Sequence, residues 1–166
     1  MKYGNDMLIL NCGGTFNKRY NKVSGELEVP YDNSAIEDIL SSVSQKYALA
    51  GVIYKDSLEM DASDRKILAN IILESNDDTF LIIHGTDTMD LSAAFLAEIF
   101  TDKKILFTGA MQPFAIDKVE ATLNLGMAFG FLSALEKNGV YICMNGYVKP
   151  YNQLIKNKHL GKFELV

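Results

Sequence analysis

The sequence has few of the residues that form disulfides and metal sites. Its 166 residues include two cysteines and two histidines. Cys12 and Cys143 each lie within an apolar run, so we expect two buried, reduced thiols on strands rather than a disulfide. These four residues are too few and too far apart in the chain for a zinc site, and the sequence predicts no metal.

A basic excess and a long apolar run are also absent. The 16 basic and 21 acidic residues give a net charge of −5 without a polybasic run, so nucleic acid is not an expected partner. The longest uncharged segment, 121–135, is interrupted by Thr122, Asn124, Ser133 and two glycines, too short and too polar to span a membrane. Residues 1–6 lack an apolar signal core, and we expect a cytoplasmic protein.

The length and a hydrophobic content of 48% suit one domain over residues 1–166. Short apolar runs alternate with segments of helical periodicity, which predicts an α/β fold: a single three-layer α/β/α domain with a mostly parallel sheet. The predicted strands are 7–12, 48–54, 80–83, 104–108 and 140–144, and the predicted helices are 34–47, a segment after Asp61, a segment from 87 or 88, and 119–135. We interpret 16–33 as a long loop and the residues after Asn145 as a polar tail.

Three predicted helices carry further signals. Ser34 opens a capping-box pattern, Ser-Ala-Ile-Glu, and Asp61 is a candidate N-cap. The helix 119–135 is apolar on all sides, which is typical of a buried helix. Deep burial within the monomer is one explanation, but we favour a subunit interface, with Phe129 or Phe131 facing the partner. The protein is therefore expected to be a homo-oligomer.

Ligands of parallel sheets bind at the carboxyl ends of the strands, and two of these ends are rich in polar groups. Gly13 and Gly14 would let backbone amides approach a ligand, with the Thr15 hydroxyl beside them and a following loop long enough to act as a lid. The segment His84-Gly85-Thr86-Asp87-Thr88-Met89 surrounds the start of a helix. The partial positive charge at the N-terminus of this helix favours a carboxylate, or an alkoxide on Thr86. Asp87 could hold an ammonium. The groups suit a zwitterionic amino acid.

A threonine nucleophile needs a base, and His84 is an obvious candidate. We expect instead that it is a packed, hydrogen-bonded core residue, because it ends a buried strand. A lysine or a tyrosine can also serve, and the tail contains lysines 149, 156, 158 and 162. A nucleotide binder of flavodoxin-like fold is an alternative, but neither GxGxxG nor GxxxxGK[ST] is present.

Four motifs resemble a known family. They are Gly13-Gly14-Thr15, Asp56-Ser57-Leu58-Glu59-Met60, His84-Gly85-Thr86-Asp87-Thr88-Met89 and Thr108-Gly109-Ala110-Met111-Gln112-Pro113, in that order. The set is similar to the N-terminal domain of the bacterial-type L-asparaginase/glutaminase family, and the resemblance runs from about residue 7 to at least residue 156. It implies hydrolysis of L-asparagine to L-aspartate and ammonia through a threonine acyl-enzyme, without a cofactor.

The resemblance also implies roles for single residues. Thr15 matches the nucleophile, and Lys156 completes a second cluster with Thr86 and Asp87. Ser57 would hold the substrate α-carboxylate, and Asp87 would bind the α-ammonium. The implied catalytic residues are Thr15, Thr86, Asp87, Lys156 and, as a lid tyrosine that activates Thr15, Tyr20; the implied substrate-binding residues are Gly14, Ser57, Leu58, Thr86 and Asp87.

The sequence departs from the family in three places. Leu58 stands where many members have a glutamine that contacts the substrate, and Gln112 replaces the usual arginine before Pro113. The family's smaller C-terminal domain, which completes the pocket of a neighbouring subunit, has no counterpart within residues 1–166. A catalytically weak or inactive amino-acid-binding or regulatory module is therefore the alternative to an enzyme.

Overall fold

The computed structural model describes residues 7–166. In chain order the elements are β1 (Leu8–Gly13), β2 (Arg19–Asn21), β3 (Glu26–Glu28), α1 (Ser34–Leu40), β4 (Ala48–Lys55), α2 (Ala62–Glu74), β5 (Thr79–Ile83), α3 (Met89–Ile99), β6 (Lys104–Thr108), α4 (Lys118–Ala134), β7 (Gly139–Met144), β8 (Tyr147–Pro150), β9 (Leu154–Asn157) and β10 (Lys162–Leu165). All five predicted strands form, as β1, β4, β5, β6 and β7.

The central sheet has six strands in the order β4-β1-β5-β6-β7-β8. The first five run parallel, and β8 is antiparallel to β7. Leu8 of β1 pairs with Ala48 of β4 on one side and with Phe80 of β5 on the other. The predicted mostly parallel sheet is confirmed, and the carboxyl ends of its parallel strands share one edge.

Apolar side chains fill both faces of the sheet. On β1, Ile9 belongs to a cluster with α1 and α4, whereas its neighbour Leu10 belongs to a cluster with α2 and α3. This confirms the three-layer arrangement, and it explains the unbroken apolar runs, because strands buried on both faces do not alternate. Cys12 and Cys143 lie in opposite clusters as free thiols, and burial raises the pKa of each to about 12.

One predicted helix start is confirmed and the other is wrong. Asp61 caps α2 in a reciprocal capping box with Asp64. Ser34, however, is the first helical residue of α1, and its hydroxyl donates to Asp32 Oδ1 at 3.0 Å instead of capping the helix. The helix also ends at Leu40, before residue 47.

Two segments interpreted as loop or tail contain strands. Strands β2 and β3 form an antiparallel hairpin within 16–33, and β9 and β10 form another near the end of the chain. These strands pair outside the central sheet, so they lack the long apolar runs that revealed the other strands. The β9–β10 hairpin is anchored by buried Leu154 and Phe163.

The environment of α4 is mixed. Phe129 is 7% exposed and packs edge-on against Tyr47, so it belongs to the monomer core, contrary to the expectation that it could face a partner. Phe131 is half-buried against Tyr141. Val119 and Leu123 do face outward, and a homo-oligomer remains a prediction. No helix among residues 7–166 has the length and apolar character needed to cross a membrane.

Candidate active site

Three loops pack backbone against backbone at the carboxyl edge of the sheet. A Cβ placed on Gly14 would lie 2.5 Å from Gly85 Cα, and one placed on Gly85 would lie 2.9 Å from the backbone nitrogen of Ser57. Such distances allow glycine alone at both positions. The close packing brings the loops after β1, β4 and β5 together. Thr15 and Thr86 come directly after the two glycines that touch, Gly14 and Gly85.

A part-buried cluster of polar side chains forms beside this contact. Lys156 Nζ donates hydrogen bonds to Thr86 Oγ1 at 2.9 Å and to Asp87 Oδ1 at 2.8 Å. Thr86 and Asp87 lie between β5 and α3, whereas Lys156 comes from β9, 69 residues further along the chain than Asp87. A lysine on a threonine hydroxyl is a geometry for proton transfer, with the carboxylate fixing the position of the ammonium group.

Ser57 is built into the loop packing. It is 1% exposed, and its Oγ accepts a hydrogen bond from the Thr88 amide at 3.3 Å. Thr88 occupies the N-cap position of α3, but its Oγ1 donates to the Ser57 carbonyl at 2.8 Å and makes no capping hydrogen bond to the helix. These bonds fasten the Ser57 turn to the start of α3, and they direct the Ser57 hydroxyl into the protein.

A second ion pair links the Thr15 loop to the Ser57 turn. Lys18 Nζ lies 2.6 Å from Asp56 Oδ2, and Asp56 Oδ1 accepts from the Leu58 amide at 3.1 Å. Burial alone would raise the pKa of Asp56, but these two hydrogen bonds and the charge of Lys156 hold it below its ordinary value. Asp56 is therefore an anion paired with Lys18.

Buried asparagines shape the turn that carries Thr15. Asn11 Oδ1 accepts from the Gly13 amide at 3.0 Å and from Asn17 Nδ2 at 2.9 Å, and Asn17 Nδ2 also donates to the Gly13 carbonyl at 2.8 Å. Thr15 opens a short 3-10 turn, Thr15–Asn17, directly after these bonds. Sequence reasoning missed both asparagines, although a polar Asn11 inside the apolar run of β1 was a usable signal.

The loop after β6 is held in a similar way. Glu120 of α4 accepts from the Met111 amide at 2.9 Å and from the Gln112 amide at 3.1 Å. Asn124 Nδ2 donates to the Gly109 carbonyl at 2.9 Å. Both side chains lie in α4, so this helix sets the path of the fourth motif.

His84 is the packed core residue that its place at the end of a strand predicts. It is fully buried, and its Nε2 lies 2.8 Å from Ser92 Oγ, which also accepts from Arg65. Its Nδ1 lies 2.7 Å from the Gly85 carbonyl, which can only accept, so Nδ1 carries the proton. Burial lowers the pKa of His84 to about 4, and the residue is neutral at pH 7.

Three predicted site residues are not directed at the Lys156 cluster. The Gly14 amide, expected to approach a ligand, donates to the Lys55 carbonyl at 2.9 Å. Leu58 is 68% exposed and offers no polar side-chain atom. Tyr20, on β2, is 64% exposed, and its hydroxyl lies over Gly25 at the far end of the hairpin, 4.0 Å from where a Cβ would be.

A family model described as "Asparaginase, N-terminal" matches residues 6–161. The chain belongs to the asparaginase family. It is 27% identical to a glutaminase-asparaginase of Acinetobacter glutaminasificans over 96% of this chain and 52% of that protein. It is also 27% identical to L-asparaginase 2 of Bacillus subtilis over 79% of this chain and 38% of that protein. The chain thus spans at most about half the length of these relatives.

Solved structures share the fold of this asparaginase-family chain. A thermostable L-asparaginase from Thermococcus kodakarensis superposes with a TM-score of 0.83 at 20% identity, over 96% of this chain and 51% of that one. A probable cytoplasmic L-asparaginase from Campylobacter jejuni superposes with a TM-score of 0.80 at 24% identity, over 98% of this chain and 54% of that one. The likeness extends over nearly all of the present chain.

Proposed function

We propose that this protein is an amidohydrolase that converts L-asparagine to L-aspartate and ammonia through a threonine nucleophile. The observation that carries the proposal is the contact of Lys156 Nζ with Thr86 Oγ1 and Asp87 Oδ1, at 2.9 and 2.8 Å. The cluster lies beside the contact between Gly14 and Gly85, and Thr15 is the residue after Gly14. Two hydroxyls, a lysine and a carboxylate at one sheet edge suit acyl transfer better than binding alone, which requires neither hydroxyl.

In the proposed reaction, Thr15 Oγ attacks the carbon of the substrate's side-chain amide and loses its proton. The tetrahedral intermediate collapses, the C–N bond breaks, and the nitrogen leaves with that proton as ammonia. Water then attacks the resulting ester, and Thr15 regains its proton as L-aspartate leaves. Thr86 and Lys156 form the proton relay that activates the attacking oxygen in each step.

Asp87 is proposed to bind the α-ammonium of the substrate. Its Oδ1 holds Lys156, and within residues 7–166 no hydrogen bond occupies Oδ2. The carboxylate is partly exposed, so a ligand can reach it. The substrate would then share Asp87 with the lysine that serves Thr86, which couples binding of the amino acid to the proton relay.

A catalytically weak or inactive amino-acid-binding module of the same family is the second candidate. The partly exposed Asp87 carboxylate favours it, because this group can bind an ammonium whether or not the protein hydrolyses its ligand. The relatives that the chain matches are about twice its length or longer, and turnover by this chain is a question for experiment.

The test is release of ammonia by the purified 166-residue chain from L-asparagine and from L-glutamine. We expect release from L-asparagine, and a loss of about 1,000-fold or more in both Thr15→Val and Thr86→Val, with a double variant little worse than either single one. Thr101→Val, at an exposed turn, is the matched control and should keep the full rate. Most activity remaining in Thr15→Val would remove this mechanism. Binding of L-aspartate without ammonia release would favour the binding module.

A further inference from the structure

Asn11 is a fully buried carboxamide inside the apolar run of β1. Its Oδ1 accepts hydrogen bonds from the Gly13 amide at 3.0 Å and from Asn17 Nδ2 at 2.9 Å. Its Nδ2 donates to Asn33 Oδ1 at 3.0 Å and to Asn17 Oδ1 at 3.2 Å. Because replacing buried hydrogen-bonded groups by apolar groups of the same shape can leave stability nearly unchanged, packing alone does not explain this carboxamide.

The bonds of Asn11 join the two ends of the segment that contains the β2–β3 hairpin. Asn17 lies two residues before β2, and Asn33 lies five residues after β3. Asn11 Nδ2 also lies 3.4 Å from the Asp32 carbonyl oxygen. The chain between Asn17 and Asp32 therefore leaves one buried side chain and returns to it, so the hairpin can change its position between fixed ends.

The same bonds hold the turn that carries Thr15. The Gly13 amide donates to Asn11, and the Gly13 carbonyl accepts from Asn17 Nδ2 at 2.8 Å. A backbone amide can only donate and a carbonyl can only accept, so Gly13 fixes which way round both carboxamides lie. The Asn17 amide in turn donates to the Gly14 carbonyl at 3.1 Å. Thr15 therefore lies within a turn that the two asparagines close.

We propose that Asn11 is a positioning residue that keeps Thr15 in place while the hairpin moves. The inference rests on the proposed function, in which Thr15 is the nucleophile. Asn11 is fully buried and acts through Gly13 and Asn17, without contact with the substrate. Thr15 lies four residues before the start of β2, and a nucleophile displaced by about 1 Å loses about 100-fold in rate. Fixed ends prevent a movement of the hairpin from displacing Thr15.

Steady-state kinetics of ammonia release from L-asparagine and calorimetric titration of L-aspartate test this role. Asn11→Leu has a side chain of similar size without a polar atom, so Gly13 and Asn17 lose their partner. We expect kcat to fall by about 100-fold, because the turn no longer fixes Thr15. KM and the Kd of L-aspartate should change by less than about threefold, because Asp87 does not belong to this network. An unchanged kcat, or a loss that lies mainly in KM, would overturn the proposal.

A second variant removes only the bond to the far end of the hairpin segment. Asn33 is half-buried, so Asn33→Ala leaves the core intact even if Asn11→Leu does not fold. Asn11 then keeps its bonds to Gly13 and Asn17, and kcat should fall by about 3- to 10-fold, the effect of one hydrogen bond. The full kcat in Asn33→Ala would show that this end of the hairpin segment has no part in holding Thr15, contrary to the proposal.

Ile72→Ala is the control for a general loss of stability. Ile72 is fully buried in the apolar cluster with α2 and α3, where a cavity lowers the free energy of unfolding without a change in the asparagine bonds. Urea denaturation measures the loss in each variant, and Ile72→Ala should keep kcat within about twofold of the unaltered protein. An equal loss of kcat in Ile72→Ala would reduce the effect of Asn11 to stability and overturn the proposal.

Hydrogen exchange separates the anchoring of the turn from the reaction. The amides of Gly13 and Asn17 are hydrogen-bonded within the turn, so Asn11→Leu should speed exchange in residues 13–17 by about tenfold or more and leave residues 154–157 unchanged. Faster exchange without ammonia release from the unaltered protein removes the hydrolase and keeps the anchoring by Asn11. Ammonia release with the full kcat in Asn11→Leu removes the role of Asn11 and keeps the hydrolase. Unchanged exchange overturns the proposal whether or not the protein is an enzyme.

Discussion

The strand-end cluster of Gly14, Ser57, Gly85, Thr86 and Lys156 and the β2–β3 hairpin both carry candidate catalytic residues, but they are held by different forces. In the cluster, backbone packs on backbone, and buried side chains are hydrogen-bonded. The hairpin forms a separate sheet of two short strands, with exposed side chains such as Tyr20. A hairpin of this kind is marginally stable by itself.

The difference separates the site into a part that is assembled in advance and a part that can move. A contact between two backbones cannot be relaxed by a change of rotamer, so the cluster is rigid as long as the sheet is folded. The hairpin owes its position to few buried groups and can change its position at low free-energy cost. Thr15 lies between the two parts, one residue after Gly14 and four residues before the start of β2.

The largest effect is expected from an alanine in the cluster. Gly14 has φ 79° and ψ 179°, a conformation open to glycine alone, and a Cβ there would also meet Gly85 Cα at 2.5 Å. Strain of about 1–3 kcal/mol and overpacking of a similar size should make Gly14→Ala less stable to unfolding by about 4 kcal/mol. Urea denaturation measures this loss.

Gly25 is the matched control, because it lies in the hairpin. Its φ is 76°, close to that of Gly14, but the nearest heavy atom to an added Cβ is the Tyr20 hydroxyl oxygen at 4.0 Å. Gly25→Ala should therefore lower the free energy of unfolding by only about 1 kcal/mol, the cost of the backbone conformation. Equal losses in the two variants would show that the contact with Gly85 contributes little.

The next effect is a pH dependence that originates at His84, the residue directly before Gly85 of the cluster. The pKa of His84 is about 4 in the folded protein and about 6.5 in the unfolded chain. Below about pH 6.5 the unfolded chain binds a proton at this residue and the folded protein does not, so the free energy of unfolding should fall by about 2 kcal/mol between about pH 7 and about pH 4.5. The pKa values of Asp32, Asp56 and Asp64 are lowered, and these carboxylates affect stability at lower pH.

Urea denaturation at about pH 7 and about pH 4.5 measures this difference. His84→Gln should remove most of it whatever its own stability, because the readout is the change with pH. His159→Gln, at an exposed position near the end of the chain, should keep the dependence of the unaltered protein. A slope that His84→Gln leaves unchanged would assign the pH dependence to other groups.

The same comparison explains how far the sequence could be interpreted. The five parallel strands of the central sheet were predictable because burial on both faces requires unbroken apolar runs, and Asp61 was predictable because a capping box is local. The sixth strand, the antiparallel β8, lies in the segment interpreted as a polar tail and was missed. The β2–β3 hairpin was not predictable, since its exposed strands need no apolar pattern. Ser34 had the right spacing for a cap, but its hydroxyl donates a hydrogen bond to Asp32, two residues earlier, instead of capping the helix.

Within the site, motifs identified residue types but not their partners. The segment around Thr86 was recognisable, and Lys156 could be named by resemblance, yet nothing local to residue 156 shows that its ammonium reaches Thr86. The inward direction of the Ser57 hydroxyl depends on Thr88, which lies 31 residues away. The Lys18–Asp56 pair spans 38 residues, and neither residue alone carries a signal for it.

The smallest effect is expected in the hairpin, from removal of the Tyr20 hydroxyl. In this structure the hydroxyl is exposed and lies over Gly25, so a role in activating Thr15 requires the hairpin to close over bound substrate. We expect Tyr20→Phe to lower kcat for ammonia release by about tenfold, below the range of a fully engaged general base, because the hairpin has to move for each turnover. Stability to urea should not change, since the Tyr20 side chain is largely exposed. Tyr31→Phe, on the same exposed surface, is the control and should keep the full rate. If Tyr20→Phe also keeps that rate, the hairpin does not take part in the reaction, and the activation of Thr15 has to come entirely from the rigid cluster around Thr86 and Lys156.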